Sequence, residues 1–275
     1  MPPKKQKPHH HHDHHRHHLE KDEHHCERIP HEDPVGHFRD PGTAVHFEHL
    51  ATTSLRHSYP MMACMALAAY GKKQGRCLEL GCGTGWLAIE LAKRSEMEIL
   101  ATDASEEMLR HAEHNIKQAG LSDRIRTQLL EMPDLKVPKA SFDLIASLRS
   151  FHHYPEPEEV LKKAYRALRK GGLIYIEDTN RGVNVDIATD VAEALPDDEA
   201  RDGFIHSLGH GYTVNEVQAI LIIAGLEDCS CVDETVWGDN VVKGCKDVFR
   251  DLESPYVKLG PEAAAVTLTI KAWKM

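Results

Sequence analysis

One stretch constrains the architecture of this chain above all others: Arg76-Cys-Leu-Glu-Leu-Gly-Cys-Gly-Thr-Gly-Trp-Leu-Ala-Ile-Glu-Leu. Cys77–Leu80 reads as a short buried strand. Gly81, Gly83 and Gly85 make a turn almost free of side chains, and Trp86 to Ala92 opens an amphipathic helix. A strand entering a helix through such a turn brings a nucleotide-like ligand against backbone N–H groups. Glycine permits positive φ there and lets the ligand approach the main chain. The spacing is G-x-G-x-G, with Trp86 where the dinucleotide fingerprint has its third glycine, and no Lys-Ser/Thr pair follows. Both facts argue against a nicotinamide dehydrogenase and a phosphate-gripping P-loop.

The surrounding pattern predicts an α/β fold. Strands are expected at 76–80, 98–102, 125–130, 142–147 and 172–177, alternating with helices near 84–94, 106–119 and 157–169. Such alternation implies a parallel sheet with helices on both faces. Ser105 is placed to cap the second helix, with Glu106 and Glu107 in its first turn. Pro157 suits the start of the third, with Arg169 and Lys170 in its last turn and Gly171 beyond its end. Ligands of these sheets lie at the carboxyl ends of the strands, which gathers Glu79, Gly81, Asp103, Glu131, Met132 and Ser147. Asp103, ending the second strand, suits a ribose diol, because a carboxylate accepts from both hydroxyls.

Four segments in order carry a family resemblance: Glu79-Leu-Gly-Cys-Gly-Thr-Gly, Ala101-Thr-Asp-Ala-Ser, Ser141-Phe-Asp-Leu-Ile-Ala-Ser and Leu168-Arg-Lys-Gly-Gly-Leu-Ile. Together they resemble the motif series of class I S-adenosylmethionine-dependent methyltransferases, small-molecule branch, over roughly residues 60–230. The resemblance implies a Rossmann-like, mostly parallel seven-stranded sheet whose last strand, expected at Ala264–Lys271, is antiparallel. It implies S-adenosyl-L-methionine as cofactor. Gly81 and Gly83 would approach its methionyl part, Glu79 its ammonium and Asp103 its ribose, with Ala104, Met108, Glu131, Met132 and Ser147 nearby. Glu131-Met132 departs from the Asp-Ala common in relatives. His152 and His153 match a His-His run at the substrate mouth and, with Tyr59, are the catalytic candidates, imidazole titrating near neutrality. Arg149, His57, His206 and His210 are the substrate candidates.

Residues 1–37 differ in composition from the rest. They hold His9, His10, His11, His12, His14, His15, His17, His18, His24, His25 and Cys26, with too few apolar residues to fold alone. A flexible chain of imidazoles gathers nickel, zinc, copper or cobalt ions, unless the run is a purification tag. The expected organisation is therefore a metal-binding arm at 1–37 and a methyltransferase domain at 38–275. That domain divides into a helical lid at 38–75, a cofactor half at 76–177 and a substrate half at 178–275. In the last, Asp197–Asp202 reads as an acidic turn, Thr213 to Ala224 as a capped helix and Leu226–Val232 as the sixth strand. Cys229-Ser-Cys231 reads as core thiols rather than a metal or metalloid pair.

Composition limits partners. The net charge is −10, which argues against a general nucleic-acid surface. No stretch has the length of a membrane span, and the polar start has no apolar signal region. With seven scattered cysteines, this leads to the expectation of reduced thiols and a cytoplasmic protein. The oligomeric state is open, a homodimer among the options. The expected activity is methyl transfer to O, N, S or C of a small molecule. The alternatives are a metal-linked enzyme acting on a metal-binding metabolite, thiol or metalloid, and a non-catalytic metal-binding or regulatory protein on the same core.

Overall fold

The computed structural model describes residues 27–31, 36–226, 229–232 and 266–275. The expected metal donors His9 to Cys26 lie outside the described residues, as do Trp237, Gly238, Cys245 and Tyr256. Seven strands form one sheet: β1 (Arg76–Leu80), β2 (Glu98–Asp103), β3 (Ile125–Leu129), β4 (Phe142–Leu148), β5 (Leu168–Thr179), β6 (Ser230–Val232) and β7 (Thr267–Trp273). Their order is β3-β2-β1-β4-β5-β7-β6. β1 pairs in parallel with β2 and β4, β2 with β3 and β4 with β5, whereas β7 runs antiparallel between β5 and β6. The chain thus leaves β1 first toward one edge and then toward the other. A crevice opens at such a reversal, at the carboxyl ends of β1 and β4.

Strand alternation divides the core in two. Cys77, Ala101, Ala146 and Tyr175 pack against α2 (Ser58–Tyr70), α3 (Trp86–Arg94) and α4 (Glu106–Gln118). Leu78, Leu80, Ile145, Ile174 and Ile176 face the other way, onto α5 (Pro157–Ala167) and α8 (Val214–Ile223). Successive strand residues point to opposite faces, so a sheet buried on both sides reads as a continuous apolar run. α1 (Pro41–Thr52) and α7 (Asp198–His210) lie over the crevice side, and α6 (Val185–Glu193) packs against α7 through Ile187, Val191 and Phe204.

Three expectations are corrected. Asp197–Asp202 is no turn: Asp197 Oδ1 accepts from the Ala200 N–H and starts α7, with Asp198 and Glu199 in its positive first turn. α5 ends at Ala167, because Leu168 is fully buried and pairs with Phe142 at once. Arg169 therefore lies in β5, bonded to Asp143 at 2.6 Å, and Gly171 takes its φ of +76° within that strand. β6 begins at Ser230 and not at Leu226, which is buried behind α8. Cys231, the middle residue of β6, is buried in the core.

Candidate functional site

A cavity of about 310 Å³ opens at the carboxyl ends of β1, β2 and β4. Its floor is the glycine turn. Gly81, Gly83 and Gly85 have φ of +66°, +51° and +86°. A Cβ on Gly81 would lie 1.9 Å from Ser150 Oγ, and one on Gly83 would lie 3.1 Å from the Phe47 ring. Gly85 lets α3 press on α4, its missing Cβ standing 3.0 Å from Ala112. Trp86, in place of a third glycine, turns its indole N–H toward Glu48 of α1 at 3.1 Å. Glu48 also accepts from Asn115 of α4 at 3.1 Å.

Two carboxylates flank this floor. Glu79 is 2% exposed, and its Oε2 has no hydrogen-bond partner among the described residues. Burial, and then the neighbouring Asp103, push its pKa well above the usual carboxylate range, opposed by one bond from the Ala88 N–H. Asp103 is more solvated. Its Oδ2 accepts from the Gly83 N–H at 2.8 Å and its Oδ1 from the Ser105 N–H at 3.0 Å. Burial still raises its pKa against those bonds. Ala104, Met108, Leu130 and Met132 continue this wall. Burial raises the Cys82 thiol well above its ordinary value, which agrees with a packed residue and not a nucleophile.

The opposite end is lined by Tyr59, Arg149, Ser150, His153, Tyr154, Phe204 and His206. Arg149 has φ of +51°. Tyr154 bonds to the Leu80 carbonyl at 3.0 Å and to Ser147 Oγ at 2.9 Å, which ties this loop to the end of β1. Burial raises the pKa of both Tyr59 and Tyr154.

The cavity thus brings together Glu79, Gly81, Gly83, Asp103, Ala104, Met108, Met132, Tyr59, Arg149, His153 and His206 among the expected residues. It does not bring in Glu131, which is exposed and paired with Arg39 at 3.0 Å. Ser147 is buried behind the wall, with its hydroxyl on the Leu80 carbonyl at 2.9 Å. His57 precedes α2 and accepts from Arg56 Nε at 2.9 Å, off the lining. His152 is buried with Nδ1 2.7 Å from Asp178 Oδ1, and the His210 Nδ1 lies 2.6 Å from the Ile29 carbonyl. Sequence reasoning missed Phe38, Thr43, Tyr154 and Phe204 as lining. The spacing of Thr43, His46, Phe47 and Leu50, one helical face, was the available signal for the α1 wall.

Residues 77–172 match the sequence profile described as Methyltransferase domain. The chain is 30% identical over 162 residues to 27-O-demethylrifamycin SV methyltransferase of Amycolatopsis mediterranei, covering 58% of this chain and 56% of that protein. The chain spans about half the length of the curated relatives it matches. Among solved structures, a putative S-adenosyl-L-methionine-dependent methyltransferase of Methanococcus maripaludis superposes with a TM-score of 0.62 at 21% identity, over 86% of this chain and 94% of that one. The plantazolicin methyltransferase in complex with a monoazolic desmethylPZN analog and SAH gives a TM-score of 0.67 at 16% identity, over 88% and 93%. These two structural likenesses carry the fold alone.

Proposed function

We propose that the chain, whose residues 77–172 match a methyltransferase-domain profile, carries a class I S-adenosylmethionine-dependent methyltransferase domain and transfers a methyl group from S-adenosyl-L-methionine to a small-molecule acceptor. The observation that carries the reading is the Glu79 carboxylate, buried without a partner at Oε2 beside the glycine turn. A buried acid left unsatisfied is costly, and a ligand ammonium removes that cost. The residues fit the cofactor in two further respects. Asp103 accepts from the Gly83 N–H at one oxygen and the Ser105 N–H at the other, and its carboxylate keeps lone pairs for the hydroxyls of a diol. Any side chain on Gly81 or Gly83 would fill the cradle.

Bound cofactor supplies an electrophilic methyl on a sulfonium with a neutral leaving group. The chain's task is then alignment and exclusion of water. Glu79, Asp103 and the glycine turn hold one reactant. The face of α1 carrying Thr43, His46, Phe47 and Leu50 covers the cavity, and Glu48 keeps that helix docked through Trp86 and Asn115. Tyr59, His153, Arg149 and His206 line the acceptor end, as the residues nearest to an acceptor proton or carboxylate. His152 acts behind them, held by Asp178. Glu131 and Ser147 serve only at a distance, and His57 and His210 lie behind the lining.

The arm and the division of the chain belong to the same reading: a metal-binding arm at 1–37, a lid at 38–75, a cofactor half at 76–177 and a substrate half at 178–275. No helix among the described residues is long and apolar enough to cross a membrane. The test is calorimetric titration of S-adenosylmethionine and S-adenosylhomocysteine into the full-length protein, followed by a screen of hydroxyl, amine and thiol acceptors for S-adenosylhomocysteine release. Binding with turnover on any acceptor supports the proposal. Failure to bind either compound overturns it.

A further inference from the structure

The described part of the N-terminal segment ends in a knot of imidazoles that methyl transfer does not require. His31 stacks on His210 with centroids 3.8 Å apart, and lies 4.4 Å from His153. His152 and His153 are 4.0 Å apart, and His206 and His210 are 4.3 Å apart. The segment is pinned in place by Arg28. Its guanidinium donates to the His152 and His210 carbonyls, both at 2.9 Å, and lies 4.1 Å over the Tyr212 ring. His31 thereby converges on the adjacent pair His152 and His153, more than a hundred residues away in sequence. One ring nitrogen or more from each of His31, His152 and His153 lies within 4.8 Å of the others.

We propose that His31, His152 and His153, with His206 and His210 packed beside them, form a binding site for a divalent transition-metal ion that clasps the N-terminal segment onto the mouth of the cavity. His152 is 2% exposed, and its Nε2 has no hydrogen-bond partner among the described residues; neither has the buried Nε2 of His31. Packing alone gives no reason to bury such lone pairs unpaired. The Asp178 carboxylate accepts from His152 Nδ1 at 2.7 Å and also takes the His152 backbone N–H at 2.8 Å. That bond fixes the proton on Nδ1 and turns the Nε2 lone pair toward the cluster, as for histidines that ligate metals.

Tetrahedral ligands at about 2.0–2.1 Å from zinc stand about 3.3 Å apart. The rings therefore need to close by no more than about 1.5 Å. All-imidazole donors suit zinc, cobalt(II), nickel or copper(II) rather than calcium or magnesium. An ion held by His152 and His153 takes a ring lone pair from each, so the metal and base roles of His153 exclude one another.

The probe is Co²⁺, read by its visible absorption, with Zn²⁺ in competition. The protein is the full-length chain in which every histidine of residues 9–25 and Cys26 are replaced by serine, so that the arm is silent. One equivalent of Co²⁺ is expected to bind and to raise the melting temperature. In this background, His31→Ala and His153→Ala should each weaken binding at least about 100-fold, and Asp178→Asn about 10–100-fold, as for the partners that orient metal-bound histidines. His31→Ala removes a side chain of the docked segment and not of the sheet, so it keeps the test open if Asp178→Asn does not fold. No Co²⁺ binding by the silenced chain, or binding unchanged in both histidine variants, overturns the proposal.

Discussion

The two ends of the cavity are built in different ways. The glycine-turn end comes from residues 79–108, one strand–turn–helix–strand–helix run, and its chemistry lies in backbone N–H groups and two acids. The histidine end is assembled from Arg28 and His31, the loop 149–155, and α7. One end is a local consequence of sequence; the other exists only once distant segments have docked. A site of the first kind tolerates a change of acceptor, and one of the second kind is where specificity changes without loss of the fold.

The largest expected effect breaks the first end. Gly81→Ala forces a side chain onto a φ of +66° and into Ser150. S-adenosylhomocysteine affinity should fall more than about 100-fold, the loss of both the turn and the close approach. Calorimetry reads it, with circular dichroism to establish that the sheet persists. Near-native affinity would mean that the turn does not cradle the ligand.

Glu79→Gln sharpens the comparison, because its effects on stability and binding have opposite sign. The folded pKa of Glu79 is raised, so the folded state binds more protons. Its stability contribution is whole below the usual glutamate value and is lost as pH rises toward the raised one. At neutral pH the amide should therefore stabilise the free protein, by about 1 kcal/mol or more, seen as a higher melting temperature. Binding of the ammonium should weaken about tenfold and lose its rise with pH, since the carboxylate form is what the ligand needs. A variant that melts lower and binds as well as the parent refutes the assignment.

Glu48→Ala tests how the cover is held. Removing the acceptor shared by Trp86 and Asn115 should raise cofactor dissociation several-fold, about 1 kcal/mol for the bonds lost, and leave the sheet's melting little altered. Stopped-flow dissociation measures it; an unchanged rate means that α1 is not a cover. The smallest effect is expected from deleting residues 1–26. Cofactor affinity should stay within about twofold, while most metal binding disappears from an equilibrium dialysis assay. A collapse of cofactor affinity would join the arm to the active site.

The sheet and the glycine turn were legible because they rest on short-range rules. Alternating apolar strands, Ser105 as a cap and Asp103 at a strand end all act within a few residues. One misreading arose where tertiary pairing overrode a local signal, Leu168 joining Phe142 instead of extending α5; the other overlooked a local one, Asp197 capping the helix that the acidic residues after it start. Glu131 looked like a ligand residue by its position after β3, yet Arg39 holds it outside the lining. The histidine knot was not readable at all. His152 and His153 were visible as a pair, but nothing local announced that Arg28 would carry His31 to them across more than a hundred residues.

The most direct test of the central claim is the calorimetric affinity for S-adenosylhomocysteine in three full-length proteins: the parent, Asp103→Ala and His153→Ala. The account predicts one site in the parent, a loss of about 1–3 kcal/mol in Asp103→Ala, and an affinity within about twofold of the parent in His153→Ala. Equal affinity in the parent and Asp103→Ala, or a larger loss in His153→Ala, would contradict it.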